Sequence, residues 1–436
     1  MAKIFEAADS QVTSNVHTLF SRILEQTLAL ANHVRDLKSV SKACDDTLRS
    51  LLGTLSLVDF FDTIEILLRR PNDDLRRQVL RVLEGRLEQN RERDTPSQKR
   101  ALDFLSTLIG ILEASPDILL KHAAVACIEK ISERYGRKDH LKVVAAAKVV
   151  CSEHCLGQAD DRIRIIGVLC LASMAELLGQ AIIPVLPDAL SRSFSLLRSS
   201  MKLGKKSPRL HDAVYSLISV LLIHVPWMIS GDDFDHILQL SFESANANIP
   251  EESRENRRET LQLLAKQVDV KETFGAIERN WSFAVSEGPK VSYGVHPFQK
   301  RIYTLTLVQA ANEALEVIGV AIEKHPKSST LKNVSVLGCL LRKAFDLRRI
   351  QFCPRRDESY EEREVDDVEN SANSVAIKMI YKLNDTTFRP FFIELTEWAT
   401  TGLPKDGEGR MMRLTTFYKF IAIFFDTLKV NIILFH

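Results

Sequence analysis

The sequence has little glycine and little proline, with 17 glycines and 14 prolines in 436 residues. A fold built mainly of strands needs more turn residues than these, so a β-rich fold is disfavoured. Neither a GxGxxG run nor a Walker-type phosphate loop occurs, and neither does a GxSxG nucleophile motif. The sequence therefore indicates neither a nucleotide cofactor nor a catalytic residue.

An excess of either charge is also lacking, since Lys and Arg total 58 against 57 for Asp and Glu. Overall charge therefore does not indicate a strongly basic nucleic-acid-binding protein, although local basic patches remain open. With 45% hydrophobic and 26% charged residues, the composition is that of an ordinary soluble chain.

Targeting and membrane segments are not evident. The N-terminal stretch MAKIFEAADSQVTSNVHTLF has no apolar core like that of a signal peptide. The apolar tail FIAIFFDTLKVNIILF is short and carries Asp426 and Lys429, which disfavours a membrane span. The seven cysteines are then expected to be reduced thiols, and the compartment to be intracellular.

The stretch DDRIRIIGVLCLASMAELLGQAIIPVLPDAL, residues 160–190, predicts two helices with almost no loop between them. Its apolar residues recur at helical spacing. Asp160 and Asp161 suit a helix N-terminus, and Gly179 suits a helix end. Pro184 is expected in the first turn of the second helix, where its missing N–H costs little.

Similar helix starts recur along the chain, each with a basic residue beside the apolar pattern. These basic residues are Arg76, Lys121, Arg164, His211, Arg257 and Arg301, and their spacings are 45, 43, 47, 46 and 44 residues. A period of about 40–47 residues with two helices per unit is typical of HEAT repeats.

The sequence therefore predicts an all-α fold, a HEAT-repeat α-solenoid in which stacked antiparallel helix pairs share a continuous core. The alternative is an irregular helical bundle, which keeps no fixed period. The repeats are expected over residues 1–354, with the basic residues pairing with acids of adjacent units.

Three polar stretches interrupt the pattern. Residues 86–100 and 280–301 read as connections between helices. Residues 355–374 read as an acidic disordered linker, since Asp357 to Asn370 contains eight acids and one arginine. The alternative for this stretch is a docking site for a basic partner. Residues 375–436 then predict three helices, the second with Pro390 in its first turn.

The cluster CSEHC, with Cys151, His154 and Cys155, raises the question of a metal site. Zinc normally takes four ligands from two separated pairs, and His140 is the only nearby addition. Cysteines four apart share a helix face, so we expect inward-facing thiols and no bound metal.

The loop RSSMKLGKKSPRL between two helices is basic. Its cations are Arg198, Lys202, Lys205, Lys206 and Arg209. Such a loop can neutralise phosphates without reading sequence, or can simply be solvated, and both readings remain open. Exposed aromatic residues for base stacking are not evident among the 31 aromatics, most of which fall on apolar helix faces.

The C-terminal residues resemble a known family. The residues that carry the resemblance are Lys382–Leu383, Thr387, Phe388, Arg389, Pro390, Phe391–Phe392, Trp398–Ala399, Arg413–Leu414, Thr416, Phe417 and Tyr418. They are similar to the C-terminal domain of the U3 small nucleolar RNA-associated protein 10 family, also called HEAT repeat-containing protein 1. The specific resemblance covers roughly the last 60–70 residues, and the rest agrees in architecture and period.

The resemblance implies a non-enzymatic nucleolar scaffold of the small-subunit processome, needed for pre-18S rRNA processing and linked to rRNA transcription. Its implied partners are other processome proteins, U3 small nucleolar RNA and pre-rRNA, with no cofactor, small-molecule substrate or membrane. Because the family's proteins are several times longer, the chain is expected to be a C-terminal portion. Residues 375–436 are expected to be the start of the family's C-terminal helical domain, in truncated form. The alternative function is a HEAT-repeat binding module of another class, such as a nuclear transport receptor or a phosphatase scaffold.

Overall fold

The fold is helical throughout the part of the chain that the structure describes. This structure is a computed structural model, and it describes residues 10–33, 43, 46–47, 55–89, 94–201, 207–229, 231–246, 252–285, 297–352, 361–404 and 407–434. Helices joined by turns make up these residues, without a β-strand among them, so the all-α prediction is confirmed. The chain forms two compact units, Met1–Ser193 and Phe194–His436.

The first unit contains seven described helices and the start of an eighth. They are α1 (Ser10–His33), α2 (Leu57–Leu68), α3 (Asp73–Gln89), α4 (Thr95–Ala114), α5 (Ile118–Tyr135), α6 (His140–Cys151), α7 (Asp161–Leu178) and α8 (Leu186–Ser200). The boundary between the two units falls within α8.

The helices of the first unit form two layers. In one layer α2, α4 and α6 follow one another in contact, and in the other α3, α5 and α7 do so. Each helix also contacts its sequence neighbour in the opposite layer, as α4 does with α5. The shared core lies between the layers, where Phe61 and Phe104 place their ring centroids 5.0 Å apart. This arrangement is the helix-pair stacking predicted for HEAT repeats.

Aspartate side chains begin several of these helices. Asp94, Asp117, Asp139 and Asp160 each accept a hydrogen bond from a backbone N–H in the first turn of α4, α5, α6 and α7. Because the first N–H groups of a helix have no partner within it, such a cap stabilises each helix by about 1 kcal/mol. The predicted cap at Asp160 is confirmed.

The hairpin at residues 160–190 is present, with one difference from its prediction. Gly179 ends α7 with φ +52°, a conformation that favours glycine. A 3-10 segment over Gly179–Val185 contains Pro184, and α8 begins at Leu186. Pro184 therefore precedes the second helix, because the chain tightens into 3-10 turns before the α-helix starts.

Residues 161–200 also include an 18-residue window of mean hydropathy 1.9, half of which is buried in the protein. By length and composition alone this stretch could cross a membrane. The positive φ of Gly179 and the 3-10 segment divide it into two helices, however. Residues such as Ile163, Val168 and Leu171 are fully buried, so their hydrophobicity is explained by the core of this unit.

The second unit contains the end of α8 and eleven further described helices. They are α9 (Pro208–His224), α10 (Gly231–Asn246), α11 (Glu252–Gln267), α12 (Val270–Val285), α13 (Pro297–Lys324), α14 (Lys327–Lys332), α15 (Val334–Phe345), α16 (Leu347–Phe352), α17 (Glu361–Tyr381), α18 (Asp385–Thr400) and α19 (Glu408–Leu434).

Two layers recur in the second unit. One layer runs α9, α11, α13, α17 and α19, and the other runs α10, α12, α15 and α18, with successive helices in contact within each layer. Pro390 lies inside α18 and not in its first turn, because the helix begins earlier, at Asp385, under a capping box formed by Asn384 and Thr387. The predicted connection at residues 280–301 is shorter than expected, since α12 extends to Val285 and α13 begins at Pro297.

Contacts between adjacent repeats recur at separations close to the predicted period. Cys127 Sγ lies 3.2 Å from the Leu80 carbonyl oxygen, 47 residues away, and Arg279 pairs with Asp235, 44 residues away. The predicted ladder of basic residues is only partly correct. Arg257 does reach the next repeat, but Arg76 and Arg164 pair with acids three residues earlier in their own helices. The side chain of Arg301 lies outside the described residues.

The acidic segment is not a disordered linker where the structure describes it. Glu361–Tyr381 form α17, while residues 353–360 lie outside the described part. Val365 and Val368 are buried, and Arg348 of α16 donates to Glu369 at 2.6 and 2.8 Å. Like charges adjacent in the sequence predict disorder, but in the fold α16 and α19 supply opposite charges.

Candidate functional site

The predicted basic loop is described only at its two ends. Arg198 lies in the last turn of α8 and Arg209 in the first turn of α9, and both side chains are exposed. Within the described residues neither arginine forms an ion pair. Lys202, Lys205 and Lys206 lie outside those residues, so phosphate contact by this loop stays a prediction.

Arg413, one of the family-resemblance residues, joins three helices. Its Nε and Nη2 atoms donate to the two carboxylate oxygens of Asp346, at 2.9 and 3.0 Å. Its Nη1 atom donates to the Trp398 carbonyl oxygen at 3.1 Å, and its guanidinium lies 4.7 Å from the Trp398 ring centroid. This geometry needs the planar arginine fork, so Arg413 and Trp398 hold α19 against α15 and α18.

Asp346 stays ionised at the centre of this contact. Burial acts to raise the pKa of its carboxyl, but hydrogen bonds from Arg349 and Arg413 outweigh burial and lower that pKa. Arg349 Nε donates to Asp346 Oδ1 at 2.8 Å.

A second polar cluster joins α16, α17 and α19. Lys419 Nζ lies 2.9 Å from Asp366 Oδ1, and Thr416 Oγ1 donates to Glu369 Oε1 at 2.8 Å. Glu369 is 2% exposed, and Arg348 satisfies both of its oxygens. A carboxylate this deeply buried is tolerated because it is paired and hydrogen-bonded. Sequence reasoning missed this cluster, and its only local signal was valines spaced at helical intervals among the acids.

The other family-resemblance residues divide into buried and exposed groups. The Phe388 ring stacks on Phe424 at 5.9 Å, and Phe417 is buried. In contrast, Arg389 and Pro390 are exposed, and Tyr418 is 62% exposed. The half-buried Phe388 packs α18 on α19, whereas Arg389, Pro390 and Tyr418 face solvent in the described structure.

A groove of about 650 Å³ opens between α12, α15, α16 and α18. Trp281 and Trp398 line it, and its charged residues already form ion pairs. Lys343 Nζ lies 3.5 Å from Glu278 Oε1, for example, and Arg279 Nε lies 2.8 Å from Asp235 Oδ2. The groove therefore offers apolar contact but no free charge that would select a small anionic or cationic ligand.

The cysteines of the CSEHC cluster are buried, as expected of core thiols. Cys151 ends α6 and Cys155 lies in the following turn, while His154 points to solvent. Burial raises the pKa of both thiols to about 12. Among the described residues, no group of three or more His, Cys, Asp or Glu side chains is placed to hold a metal ion.

Several aromatic residues contradict the expectation that exposed aromatics are absent. Trp227, Tyr381, Tyr418 and Phe425 are 60%, 55%, 62% and 52% exposed. Trp227 follows α9 and Tyr381 ends α17, so both stand at helix ends where the apolar pattern of the sequence does not separate buried from exposed positions.

Comparison with a family model identifies residues 329–436 as a BP28CT (NUC211) domain. These residues include the C-terminal positions that carry the resemblance described above.

The chain is also similar to curated proteins named U3 small nucleolar RNA-associated protein 10. It is 59% identical over 430 residues to the protein of Coccidioides immitis, an alignment that covers 98% of this chain and 23% of that protein. The values are 57% over 431 residues for Aspergillus niger, covering 98% and 23%, and 50% over 425 residues for Emericella nidulans, covering 97% and 22%. The chain thus spans about a quarter of the length of these relatives.

Solved structures give weaker similarities. Importin beta matches at TM-score 0.38 and 12% identity over 97% of this chain and 50% of that one. Kap95p, in a structure with RanGDP, matches at TM-score 0.44 and 14% identity over 94% and 46% of the two chains. The helix contacts within each unit define the fold independently of these matches.

The sequence similarity is wider than the last 60–70 residues from which the resemblance was argued, since it covers 98% of the chain. Over nearly its whole length the chain is therefore similar to proteins named U3 small nucleolar RNA-associated protein 10, and the predicted resemblance is confirmed.

Proposed function

We propose that this protein acts in ribosome biogenesis as a non-enzymatic scaffold of the small-subunit processome, the nucleolar particle that carries U3 small nucleolar RNA. In this role it supports processing of pre-rRNA towards 18S rRNA and is linked to rRNA transcription. The observation that carries the proposal is 50–59% identity, over 97–98% of the chain, to proteins named for their association with U3 small nucleolar RNA.

The structure supports a scaffold in physical terms. Within each unit, stacked helix pairs bury their apolar faces against one another and leave polar faces and helix ends for partners. In the second unit the ionisable side chains around Arg257, Arg348 and Arg413 form ion pairs between helices. Binding to partners along a surface needs no reacting group, so the use of these side chains for helix packing suits an assembly role.

Affinity purification tests the proposal directly. The tagged protein is recovered from its own cells, and U3 RNA in the eluate is measured against an unrelated small nucleolar RNA. Enrichment of U3 RNA together with early nucleolar assembly factors is expected. Recovery of a small GTPase with cargo, and no enrichment of U3 RNA, would instead indicate a transport receptor.

Depletion of the protein is expected to leave unprocessed precursors of 18S rRNA, visible on a northern blot.

The loop formed by Arg198, Lys202, Lys205, Lys206 and Arg209 is proposed as one RNA contact. The exposure of Arg198 and Arg209 supports it, since each can reach a phosphate without breaking an ion pair of the described structure. Replacing Lys202, Lys205 and Lys206 by Glu is expected to weaken RNA crosslinking with little change in thermal stability. A matched control replaces the exposed Lys99, Lys138 and Lys148 of the first unit by Glu. Equal crosslinking by both triple variants would remove this contact.

A further inference from the structure

One edge of the second unit collects the C-terminal ends of several parallel helices. Arg257 of α11 pairs with Glu313 of α13, and further along both helices His325 Nε2 lies 3.1 Å from the Ala265 carbonyl oxygen. The two helices therefore run in the same direction and end together. This edge is distant in sequence from the basic loop at residues 198–209.

The C-terminal end of α17 lies at the same edge. Lys378 Nζ is 2.9 Å from Glu323 Oε1, and Lys382 Nζ donates to the carbonyl oxygens of His325 at 2.7 Å and Glu323 at 3.4 Å. Helices α13 and α17 therefore also run in parallel and end together.

Five lysines lie at this edge, on α11, α13, α14 and α17 and directly after α17. They are Lys266, Lys324, Lys327, Lys378 and Lys382, and we refer to them as the basic edge. Three of them, Lys378, Lys324 and Lys382, act together to lower the pKa of the Glu323 carboxyl, with the hydrogen bond from Lys378 the largest cause. Their charges lie close to one another because Lys378 and Lys382 both contact Glu323 and Lys324 is its neighbour in the chain.

The basic edge contains more lysines than those that cap carbonyl groups or pair with an acid at these helix ends. Lys382 caps two carbonyl groups and Lys378 pairs with Glu323, whereas Lys266, Lys324 and Lys327 are exposed and form no ion pair within the described part of the chain. Asp269 and Asp385 in the adjoining turns begin α12 and α18, where carboxylates complement the helix N-termini. Further carboxylates lie in the first turns of the adjoining helices, Glu272 on α12 and Asp232 and Asp233 on α10. Lys266, Lys324 and Lys327 nevertheless keep exposed ammonium groups that a polyanion can contact.

Two exposed aromatic residues flank the lysines. Tyr381 is 55% exposed and lies on the same face of α17 as Lys378, three residues earlier. Trp227 is 60% exposed and follows α9, which lies beside α11 in the same layer. Thr260 Oγ1 of α11 lies 3.2 Å from the Tyr215 carbonyl oxygen and 2.7 Å from Ser219 Oγ, both on α9. Trp227 is thus at the end of the neighbouring helix.

We propose that the basic edge, with Trp227 and Tyr381, binds single-stranded RNA. Lysine ammonium groups neutralise backbone phosphates without reading sequence, and exposed aromatic rings accept unpaired bases by stacking. An acidic peptide could use the lysines but would gain no stacking from the two rings. The choice of RNA among polyanions rests on the proposed function, whereas the lysines and aromatic rings are features of the structure alone.

The test uses the purified full chain and a fluorescein-labelled oligouridylate of about 12 nucleotides, a length that one such surface can span. Anisotropy titrations over a range of KCl concentrations give the dissociation constant and its salt dependence. The first variant replaces Lys266, Lys324 and Lys327 by Gln, leaving the two lysines that support α17 in place. Loss of three phosphate contacts is expected to reduce the slope of log K against log salt by about 2. Trp227→Ala and Tyr381→Ala are each expected to weaken binding about tenfold.

Matched variants keep the interpretation specific. Replacing Lys99, Lys138 and Lys148 by Gln removes the same charge from the first unit and is expected to leave the slope unchanged. Circular dichroism and the unfolding midpoint confirm that every variant is folded. The proposal is overturned if the edge variant binds oligouridylate with the wild-type slope, or if replacing Lys202, Lys205 and Lys206 alone abolishes all binding. It is also overturned if a polyglutamate peptide displaces the RNA at equal charge concentration. The proposed function is tested separately, by the enrichment of U3 RNA in purifications of the wild-type protein, and fails if U3 RNA is not enriched.

Discussion

Arg257 and Glu313 form a fully buried, two-point ion pair between helices α11 and α13. Arg257 Nε donates to Glu313 Oε2 at 3.0 Å and Arg257 Nη2 to Glu313 Oε1 at 2.5 Å, across 56 residues of sequence. Arg257 is 0% exposed and Glu313 is 4% exposed. Arg257 also donates to Ser244 Oγ at 3.3 Å, so the pair extends into α10. A buried pair of this kind fixes the register of one repeat on the next.

Removing one member of this pair is expected to be costly. Glu313→Gln leaves the Arg257 charge buried without its counter-ion, and we expect a loss of about 3–5 kcal/mol of stability. Hydrogen exchange measured on peptides of α11 and α13 reports this loss within the second unit.

The neighbouring pair of Arg258 and Glu316 is a matched control, because it joins the same two helices at 2.9 Å but Arg258 is largely exposed. Glu316→Gln is expected to cost only about 0–1 kcal/mol. Equal protection of α11 and α13 in the Glu313 and Glu316 variants would contradict the assigned role of the buried pair.

His211 makes the stability of the second unit depend on pH. Burial, with a smaller contribution from the Arg257 charge, lowers the pKa of His211 from 6.5 to about 3. Between these values the unfolded chain binds a proton that the folded protein does not, so stability falls as pH falls through this window. The decrease attributable to His211 is up to about 1.4 kcal/mol per pH unit.

The measurement compares unfolding midpoints at pH 7, 6 and 5. His211→Gln is expected to flatten the pH dependence relative to the wild-type protein. His140→Gln, which changes an exposed histidine at the start of α6, is the control and should keep the wild-type slope. A His211→Gln variant with an unchanged slope would show that this ring is not held neutral.

The ion pair of Asp346 and Arg413 is expected to lose its stabilising effect at low pH. Burial acts to raise the pKa of Asp346, but its arginine partners outweigh burial and hold that pKa below the ordinary value of 3.8, so its contribution to stability is complete above 3.8. It is lost as pH falls through the lower pKa of the folded protein. Asp346→Asn should remove this dependence, seen by comparing unfolding below pH 4 in the variant and the wild-type protein.

Arg413→Lys tests the geometry of the same contact at neutral pH. A lysine keeps the charge but cannot bond both Asp346 oxygens and the Trp398 carbonyl oxygen together, so we expect a loss of about 1–3 kcal/mol. Trp398 fluorescence and hydrogen exchange of α18 and α19 report it. Arg389→Lys changes an exposed arginine of α18 and should have no effect. If both variants behaved alike, the two-point contact would not hold α19 in place.

The buried cysteines are expected to resist alkylation. Burial raises the pKa of Cys151 and Cys155 to about 12, and it also raises the pKa of Cys127, so their reactive thiolates are scarce at pH 8. Cys339 is only partly buried and should react first among these four. Peptide mapping after iodoacetamide treatment gives the order at each site. Rapid labelling of Cys151 or Cys155 in the folded protein would contradict their placement in the core.

Sequence reasoning succeeded where local patterns decide the outcome. The helical spacing of apolar residues, the cap at Asp160 and the helix end at Gly179 are all present in α7. Reasoning failed at α17, where eight acids in fourteen residues predicted disorder. Arg348 and Lys419 pair with Asp366 and Glu369 but lie on other helices. The residues around the acids in the sequence do not indicate such distant partners.

The basic edge shows the same limit. Lys266, Lys324 and Lys382 are separated by 58 residues each, which a search for repeats could have found. Their convergence nevertheless depends on α11, α13 and α17 running in parallel and ending together. A lysine near the C-terminal end of a helix usually complements the helix dipole. Its position in the sequence alone therefore does not distinguish that role from contact with RNA phosphates.

The sequence by itself determined that the chain is helical, that its helices come in pairs of regular period, and that its C-terminal residues resemble one family. These properties depend on apolar spacing and on capping residues, which act over a few positions of the chain. The tertiary structure alone decided which charges are buried as pairs, which aromatic rings are exposed, and which helix ends meet. Those outcomes depend on side chains that are about 20–70 residues apart in the sequence and come together only when the helices stack.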